Sequence, residues 1–181
     1  MGVPGGGFGG GARSADTVDG VPVPPFITDL RARVGHDLLW LPGVTGAVLT
    51  DDDRLLLARR ADNGMWALVS GILEPGEQPA VGLAREITEE TGVRAEVVAL
   101  AAVRAGAPVS YPNGDVAQYL DLTFLCRYLD GDARVADDES TDVGWFSLDA
   151  LPEGMAPSSA QRLRDVLAYR QDPAAGPAFV R

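Results

Sequence analysis

Cysteine and histidine are nearly absent from this chain of 181 residues, which has one of each. Cys126 has no partner for an intrachain disulfide and lies in an apolar segment, so we interpret it as a buried packing residue. His36 has no second histidine and no nearby cysteine with which to bind a metal, so we assign it a structural polar contact. The scarcity of cysteine fits a reducing compartment, and we expect the protein in the cytoplasm.

The sequence also lacks long apolar runs and has few basic residues. No stretch of about 18 apolar residues, the length that spans a membrane, occurs in the sequence. The 15 Lys and Arg residues are outnumbered by 26 Asp and Glu residues, which gives a net charge of −11. Binding nucleic acid through its phosphates requires clustered basic residues, so we expect neither a nucleic acid nor a membrane as partner. A phosphorylated small molecule stays compatible with this charge, because bound cations can invert the local field.

Several catalytic signatures are missing as well. The glycine-rich segment GGGFGGG near the N-terminus lacks the Lys-Ser/Thr pair of a P-loop, and no strand precedes it. The chain contains no recognisable serine–histidine or cysteine–histidine pair, so covalent catalysis has no support in the sequence.

The most informative stretch that is present spans residues 71–93, where five glutamates occupy a loop and the helix after it. Gly71, Pro75 and Gly76 are typical turn residues. Pro79 favours the first turn of a helix, and Gly92 favours its end, because glycine readily adopts the left-handed conformation. The pattern predicts a helix from 79 to 91.

The predicted helix has one acidic face and one apolar face. At about 100° per residue, Glu86, Glu89 and Glu90 fall on one arc with Gly82, which leaves room for a loop or ligand. The neighbouring arc is apolar and contains Ala80, Leu83, Ala84 and Ile87. Carboxylates at i, i+3 and i+4 repel one another, so a cation should compensate them, and Mg²⁺ prefers such oxygen ligands. A solvated acidic face is the alternative interpretation of the same pattern.

The stretch resembles the Nudix box, in which Gly, five residues, Glu and seven residues precede Arg-Glu-aliphatic-any-Glu-Glu-any-Gly-aliphatic. The positions that match are Gly71, Glu77, Arg85, Glu86, Ile87, Glu89, Glu90, Gly92 and Val93. A weaker resemblance extends over residues 43–170. The resemblance implies an α/β fold, an α/β/α sandwich with a mixed β-sheet, and a metal-dependent pyrophosphohydrolase.

The resemblance also implies which residues bind the metal, Mg²⁺ or Mn²⁺. It makes Glu86 and Glu90 the principal ligands and Glu89 a further ligand or the base. The backbone carbonyl of Gly71 would add a ligand. Glu77 would be a secondary ligand or a partner of Arg85.

Two further residues receive catalytic roles from the resemblance. Arg85 would hold a carboxylate in orientation through a bidentate bond, without touching phosphate. Glu139 precedes a short strand, in a loop position from which a family glutamate joins the metal cluster or acts as base; an exposed loop acid is the alternative. Water is the expected nucleophile, and a carboxylate beside bound metal would take its proton.

Three functions remain distinct. The first is a pyrophosphohydrolase, and the second is a non-catalytic nucleotide-binding regulator that kept the fold. The third is an isomerase acting on an isoprenoid diphosphate, which would need a catalytic cysteine in the cleft, where Cys126 is misplaced. The intact carboxylate set favours the first.

The substrate is less well specified by the sequence. Some family subclasses are distinguished by one residue in the loop downstream of the box. A proline there is associated with ADP-ribose, and a tyrosine with dinucleoside polyphosphates. This chain has both Pro108 and Tyr111 in that loop. We favour ADP-ribose or a related nucleoside diphosphate linked to another group, with a nucleoside triphosphate as the alternative. Trp66, Tyr111, Tyr119 and Phe124 are each candidates either to stack a base or to fill the core.

The rest of the chain predicts a scaffold around this segment. Predicted strands cover 44–50 and 55–59, joined as a hairpin, then 66–69, 95–103, 116–128 and 143–146, and further helices cover 26–34 and 158–169. Strand alternation places Arg59 and Arg60 on opposite faces, so that one of them can face the substrate. This order is too irregular for a doubly wound sheet and favours a mixed sheet between helices.

The predicted domain organisation has one folded unit. We expect a disordered tail at 1–22, an N-terminal helix and extension at 23–42, the catalytic domain at 43–172 and a C-terminal tail at 173–181. The helix at 26–34 is expected to pack on the domain or to form a homodimer contact.

Overall fold

The computed structural model describes residues 24–179 together with the backbone of 17–18 and 21–22. Most of the tail predicted at 1–22 therefore lies outside the described residues. Within it, β1 (Thr17–Val18) and β2 (Val21–Pro22) pair as antiparallel strands. Helix α1 (Pro25–Val34) follows and ends at Gly35, which has a φ of 63°. No helix in residues 24–179 is both long enough and apolar enough to cross a membrane.

The remaining elements form one mixed sheet with a helix on each face. The strands are β3 (Leu39–Leu49), β4 (Arg54–Arg60), β5 (Trp66–Ala67), β6 (Val69–Ile72), β7 (Arg94–Ala105), β8 (Val109–Ser110), β9 (Val116–Asp130), β10 (Ser140–Ser147) and β11 (Ala178–Phe179). The helices are α2 (Pro79–Thr91) and α3 (Pro157–Gln171), and the 3₁₀ turn Pro173–Ala175 follows α3. Each predicted helix and strand overlaps an observed element, and most of these elements extend a few residues beyond the predicted bounds.

Strand β3 is the centre of the sheet. The strand order is β10-β4-β3-β9-β7-β11, with β5 beside β4, β6 beside β3 and β8 beside β9. Strand β3 runs parallel to β9 over its whole length and antiparallel to β6. The mixed sheet that the sequence predicts is thus confirmed.

Side chains of the central strands alternate between two apolar layers. The layer on the α2 side includes Val44, Val48, Leu56, Ala58, Val69, Leu83 and Ile87. The layer on the α3 side includes Ala47, Leu49, Leu55, Leu57, Leu68, Leu163 and Val166. Because each helix buries its apolar stripe against one face, the chain forms the predicted α/β/α sandwich.

Helix α3 is also fixed to the sheet by two buried ion pairs. Arg162 Nε donates to Asp121 at 2.8 Å, and Asp121 in turn accepts hydrogen bonds from the hydroxyls of two buried threonines. Arg104 donates two bonds to Asp165, at 2.7 and 2.8 Å. These carboxylates are satisfied within the fold and lie on the face of the sheet opposite α2.

The sequence-based strands differ from the structure in one region. The predicted hairpin between 44–50 and 55–59 keeps only the pair Leu49–Leu55, because β4 then pairs with β10 and β5 while β3 pairs with β6. The strand predicted at 66–69 is two strands, which separate at Leu68. Gly71, predicted as a turn residue, lies inside β6 opposite Val44, so that prediction is wrong.

Candidate active site

The orientation of helix α2, and with it the position of its glutamates, is set by the ends of the helix and by its buried apolar stripe. The helix begins at Pro79 and ends at Gly92, which adopts the left-handed conformation with a φ of 69°, as the sequence predicts. Leu83 and Ile87 are fully buried on the apolar stripe. This orientation leaves Glu86 and Glu90 at the margin of the core, partly removed from water.

Glycine at position 71 lets the carboxyl group of Glu86 lie in its present position. A Cβ atom added to Gly71 would overlap the carboxyl group of Glu86, which lies directly against the backbone of β6. Gly71 thus allows the close approach of a side chain to a strand, and its role as a backbone ligand of the metal stays a prediction. The contact joins β6 and α2 at the site where the box predicts a metal.

Arg85 connects three carboxylates of the box. Its Nε and Nη2 atoms donate to Glu77 at 3.0 and 3.2 Å, Nη1 donates to Glu89 at 2.8 Å, and Nη2 donates to Glu86 at 3.1 Å. These bonds lower the pKa of Glu77 and raise that of Arg85. Of the two roles that the sequence left open for Glu77, the structure shows the contact with Arg85.

Gly82 allows the loop before α2 to cross the helix. A Cβ at this position would lie 2.7 Å from Glu77 Oε2 and 2.7 Å from Leu73 Cδ2. The space that the missing side chain leaves is thus filled by the loop, which brings Glu77 within reach of Arg85.

Glu86 and Glu90 are charged groups in an unfavourable environment. Glu90 is only 7% exposed. Burial raises its pKa well above the ordinary value, and nearby Glu139, Glu86 and Asp137 raise it further. Burial also raises the pKa of Glu86 to about 7, although Arg85 opposes this shift. Buried carboxylates of this kind need a positive partner to stay ionised.

These donors fit a hard divalent cation in chemistry. The glutamate oxygens and the backbone oxygens of β6 are the ligand types that Mg²⁺ and Mn²⁺ accept. No three His, Cys, Asp or Glu side chains in the described part of the chain are arranged around a single ion position. The fit therefore rests on the buried, mutually repelling carboxylates and on the close approach of Glu86 to Gly71.

The loop between β9 and β10 brings Glu139 to the same place. Its backbone follows the end of α2, where Arg134 N–H donates to the Thr91 carbonyl at 3.0 Å and Ala136 N–H donates to the Glu90 carbonyl at 3.2 Å. Glu139 then lines a cleft with Glu90, and its predicted role as base or further metal ligand stays a prediction. Burial and Asp137 raise the pKa of Glu139.

Two polar residues that line this cleft, and Asp137 in the adjoining loop, were not assigned a definite role from the sequence. Asp137 accepts a hydrogen bond from the Glu139 N–H at 3.0 Å and so fixes the turn that positions Glu139. Arg60 and Asp62 line the cleft from the end of β4. Strand alternation gave a signal for Arg60, whereas no local pattern identifies Asp62 or Asp137.

The four aromatic candidates divide into two groups. Trp66 packs edge-on against Phe146 with ring centroids 4.7 Å apart, and Phe124 is buried beneath α2. Tyr111 and Tyr119 are half-buried, and their hydroxyls form a hydrogen bond of 2.8 Å. Phe124 is thus a core residue, and Trp66 is partly buried against the core on the α3 side.

Cys126 is fully buried in the layer beneath α2, as the sequence predicts. Burial raises the pKa of its thiol to about 12. Because the thiolate is the reactive form, we expect native protein at pH 8 to react with a thiol reagent far more slowly than unfolded protein. Fast labelling of the native protein would contradict this burial.

The cleft lining does not include Cys126, which leaves the isomerase alternative without its cysteine.

His36 makes the structural contact expected of it. Its Nδ1 atom lies 2.8 Å from Asp115 Oδ1 at the turn between β8 and β9. The same Asp115 lies 3.3 Å from Arg31 Nε of α1, so these groups fix the first helix to the sheet.

Comparison with known proteins identifies the family. The model of the NUDIX domain matches residues 40–168. A MutT-like protein of Streptomyces ambofaciens is 44% identical over 124 residues, covering 68% of this chain and 75% of the relative. The NAD-capped RNA hydrolase NudC of Pseudomonas aeruginosa is 35% identical over 133 residues, covering 72% of this chain but only 45% of that longer protein.

A solved structure agrees with this assignment. The MutT NUDIX hydrolase from Burkholderia pseudomallei superposes with a TM-score of 0.60 at 28% identity, covering 71% of this chain and 98% of the other. The fold, the intact box and the family match converge, and the chain belongs to the Nudix hydrolase family.

Proposed function

We propose that this protein is a metal-dependent pyrophosphohydrolase that cleaves the diphosphate bond of a nucleoside diphosphate linked to another moiety. The observation that carries the proposal is the burial of Glu86 and Glu90 beside Glu139, without enough positive charge from the protein to neutralise them. Such an arrangement is costly for a purely structural helix and useful for binding cations.

Glu86 and Glu90 would hold the metal, with Gly71 and Glu89 as further ligands. Bound Mg²⁺ or Mn²⁺ would neutralise the diphosphate and lower the pKa of water in the site. Arg85 would keep the box carboxylates in place through its bonds to Glu77, Glu86 and Glu89, which makes it a positioning residue.

Glu139 and Glu89 are the two candidates for the base that takes the proton from water. Glu89 is exposed, and Arg85 Nη1 donates a hydrogen bond of 2.8 Å to its carboxylate, so this carboxylate is already engaged by the arginine. Glu139 is half-buried, faces Glu90 across the cleft and has a raised pKa. We therefore favour Glu139 as base and Glu89 as ligand.

An ADP-ribose-like compound is our favoured substrate. The Pseudomonas relative is named for hydrolysis of NAD-capped RNA, and NAD is itself a nucleoside diphosphate linked to a second group. The net charge of −11 favours a small molecule over an RNA chain. The similarity to a MutT-like protein supports a nucleoside triphosphate as second candidate.

The proposal is tested by incubating the protein and Mg²⁺ with ADP-ribose, NAD, NAD-capped RNA, nucleoside triphosphates and dinucleoside polyphosphates, and identifying the products. We expect AMP and a phosphorylated sugar from ADP-ribose. Release of pyrophosphate from triphosphates alone would favour the second candidate. Tight binding without any product would support a non-catalytic regulator and overturn the enzyme proposal.

Metal binding should stabilise the protein, because a cation relieves the repulsion among Glu86, Glu90 and Glu139 only in the folded state. At 100 times Kd the gain is about 2.7 kcal/mol, which corresponds to a rise in Tm of about 5–10 °C for a domain of this size. Thermal melting with and without Mg²⁺ or Mn²⁺ measures it. A Tm that stays constant up to millimolar metal would contradict the site, and a Glu86→Gln, Glu90→Gln double variant should lose the gain.

A further inference from the structure

The end of β4 directs one arginine to each side of the sheet. Leu56 and Ala58 point into the layer beneath α2, and by alternation Arg60 points to the same side. Arg59 points to the opposite side, where its Nε donates to the Gly64 carbonyl at 3.0 Å. Arg60 consequently lines the cleft that contains Glu90 and Glu139.

Asp62 holds the guanidinium of Arg60 in one orientation. Nε of Arg60 donates to Asp62 Oδ1 at 2.9 Å, and Nη2 donates to Oδ2 at 2.7 Å, which is a bidentate pair. The Nη1 group has no hydrogen-bond acceptor among the described residues. One edge of the guanidinium is thus fixed by Asp62 while donors on the other edge are available to a ligand.

The ion pair between Arg60 and Asp62 is not needed to hold the turn that follows β4. Arg60 N–H donates to the Met65 carbonyl, and Gly64 N–H donates to the Arg60 carbonyl, both at 2.9 Å. The side chains of Arg60 and Asp62 are 44% and 29% exposed, and ion pairs at that exposure contribute little to stability. The backbone bonds already close the turn, so the ion pair serves mainly to orient Arg60.

We propose that Arg60 binds a phosphoryl oxygen of the diphosphate substrate and that Asp62 is the residue that positions it. The inference rests on the function proposed above. Arg60 is the only cationic side chain that lines the cleft within the described residues. Guanidinium donors in a fixed fork match the geometry of phosphate oxygens, and they would supplement the positive charge of the metal.

The expected changes in KM distinguish Arg60 from the adjacent Arg59. Arg60→Gln should raise KM by about 10- to 100-fold, the loss expected for a charge-assisted contact, with a smaller change in kcat. Arg60→Lys keeps the charge without the fork and should fall between Arg60→Gln and the unmodified enzyme. Asp62→Asn should raise KM less than Arg60→Gln. Arg59→Gln is the matched control and should leave KM unchanged.

The test combines kinetics on the best substrate of the panel with calorimetric binding of α,β-methylene-ADP in Mg²⁺, a diphosphate probe that resists hydrolysis. A weaker affinity of Arg60→Gln for the probe, at unchanged Tm, supports the proposal. Equal KM and probe affinity for Arg60→Gln and Arg59→Gln would overturn it. The proposal would also be overturned if Arg60→Gln lowered Tm enough to explain its weaker binding and if Arg60→Lys restored both Tm and affinity in full. If the unmodified protein hydrolyses no diphosphate at all, the proposed function itself fails, which distinguishes the two failures.

Discussion

Replacing Glu86 or Glu90 with glutamine is expected to lower kcat by about 10²- to 10⁴-fold, the range observed when a catalytic group is removed. Each change removes one negative charge from the carboxylates that would hold the metal, while the shape of the side chain is kept. Glu86 lies against the backbone of β6, and Glu90 is buried where α2 borders the cleft. Rates measured at saturating metal test the expectation, and full activity in either variant would contradict the metal assignment.

The same substitutions should not destabilise the metal-free protein. The folded-state pKa of Glu86 is raised to about 7 from its ordinary value of 4.5. A raised carboxyl pKa means that the folded state loses stability as the pH rises through about 7, and keeps it below 4.5. Glutamine carries no charge, so Glu86→Gln should melt at the same or a higher temperature than the unmodified protein at pH 8, with a smaller difference at pH 5. Glu153→Gln, at an exposed glutamate that is not part of the cleft lining, is the control.

Glu139→Gln is the second substitution with a large expected effect. If Glu139 takes the proton from water, kcat should fall by about 10²- to 10⁴-fold with little change in KM, because the base acts in the transition state. Asp138→Asn is a matched control, because Asp138 is exposed and adjacent to Glu139, and this variant should retain most of the activity. An unchanged kcat in Glu139→Gln would show that Glu139 lines the cleft without taking part in catalysis.

The pH profile separates Glu139 from Glu89. A base acts in its ionised form, so the rate falls as the pH drops below its pKa, and burial places that fall above the ordinary glutamate value for Glu139. Removing the base should abolish the acidic limb of the kcat profile. Glu89→Gln should instead weaken metal binding and leave that limb in place. The opposite pattern would make Glu89 the base.

Local signals in the sequence were sufficient to predict helix α2 and its acidic face. Pro79 and Gly92 define its ends, and the spacing of Leu83 and Ile87 defines the buried stripe. These features depend only on neighbours along the chain, whereas the burial of Glu90 next to an exposed Glu89 depends on the packing of α2 in the fold.

Features that depend on distant parts of the chain were less predictable. Gly71 is a common turn residue, but in the structure it is a strand residue because β3 pairs with β6 after diverging from β4. Asp137 is placed by backbone hydrogen bonds from its loop to the end of α2, and Ala61 N–H donates to the Glu139 carbonyl at 2.9 Å. No periodicity in the sequence encodes such bonds, so the roles of Asp62 and Asp137 emerged only from the fold.

Hydrolysis in water enriched in ¹⁸O tests most directly whether this protein cleaves a diphosphate by attack of water. With Mg²⁺ and the best substrate of the panel, we expect one ¹⁸O atom in one of the two phosphorylated products after a single turnover, and no product when the metal is chelated. Products without the label, or an undiminished rate after chelation, would contradict metal-dependent hydrolysis by this site.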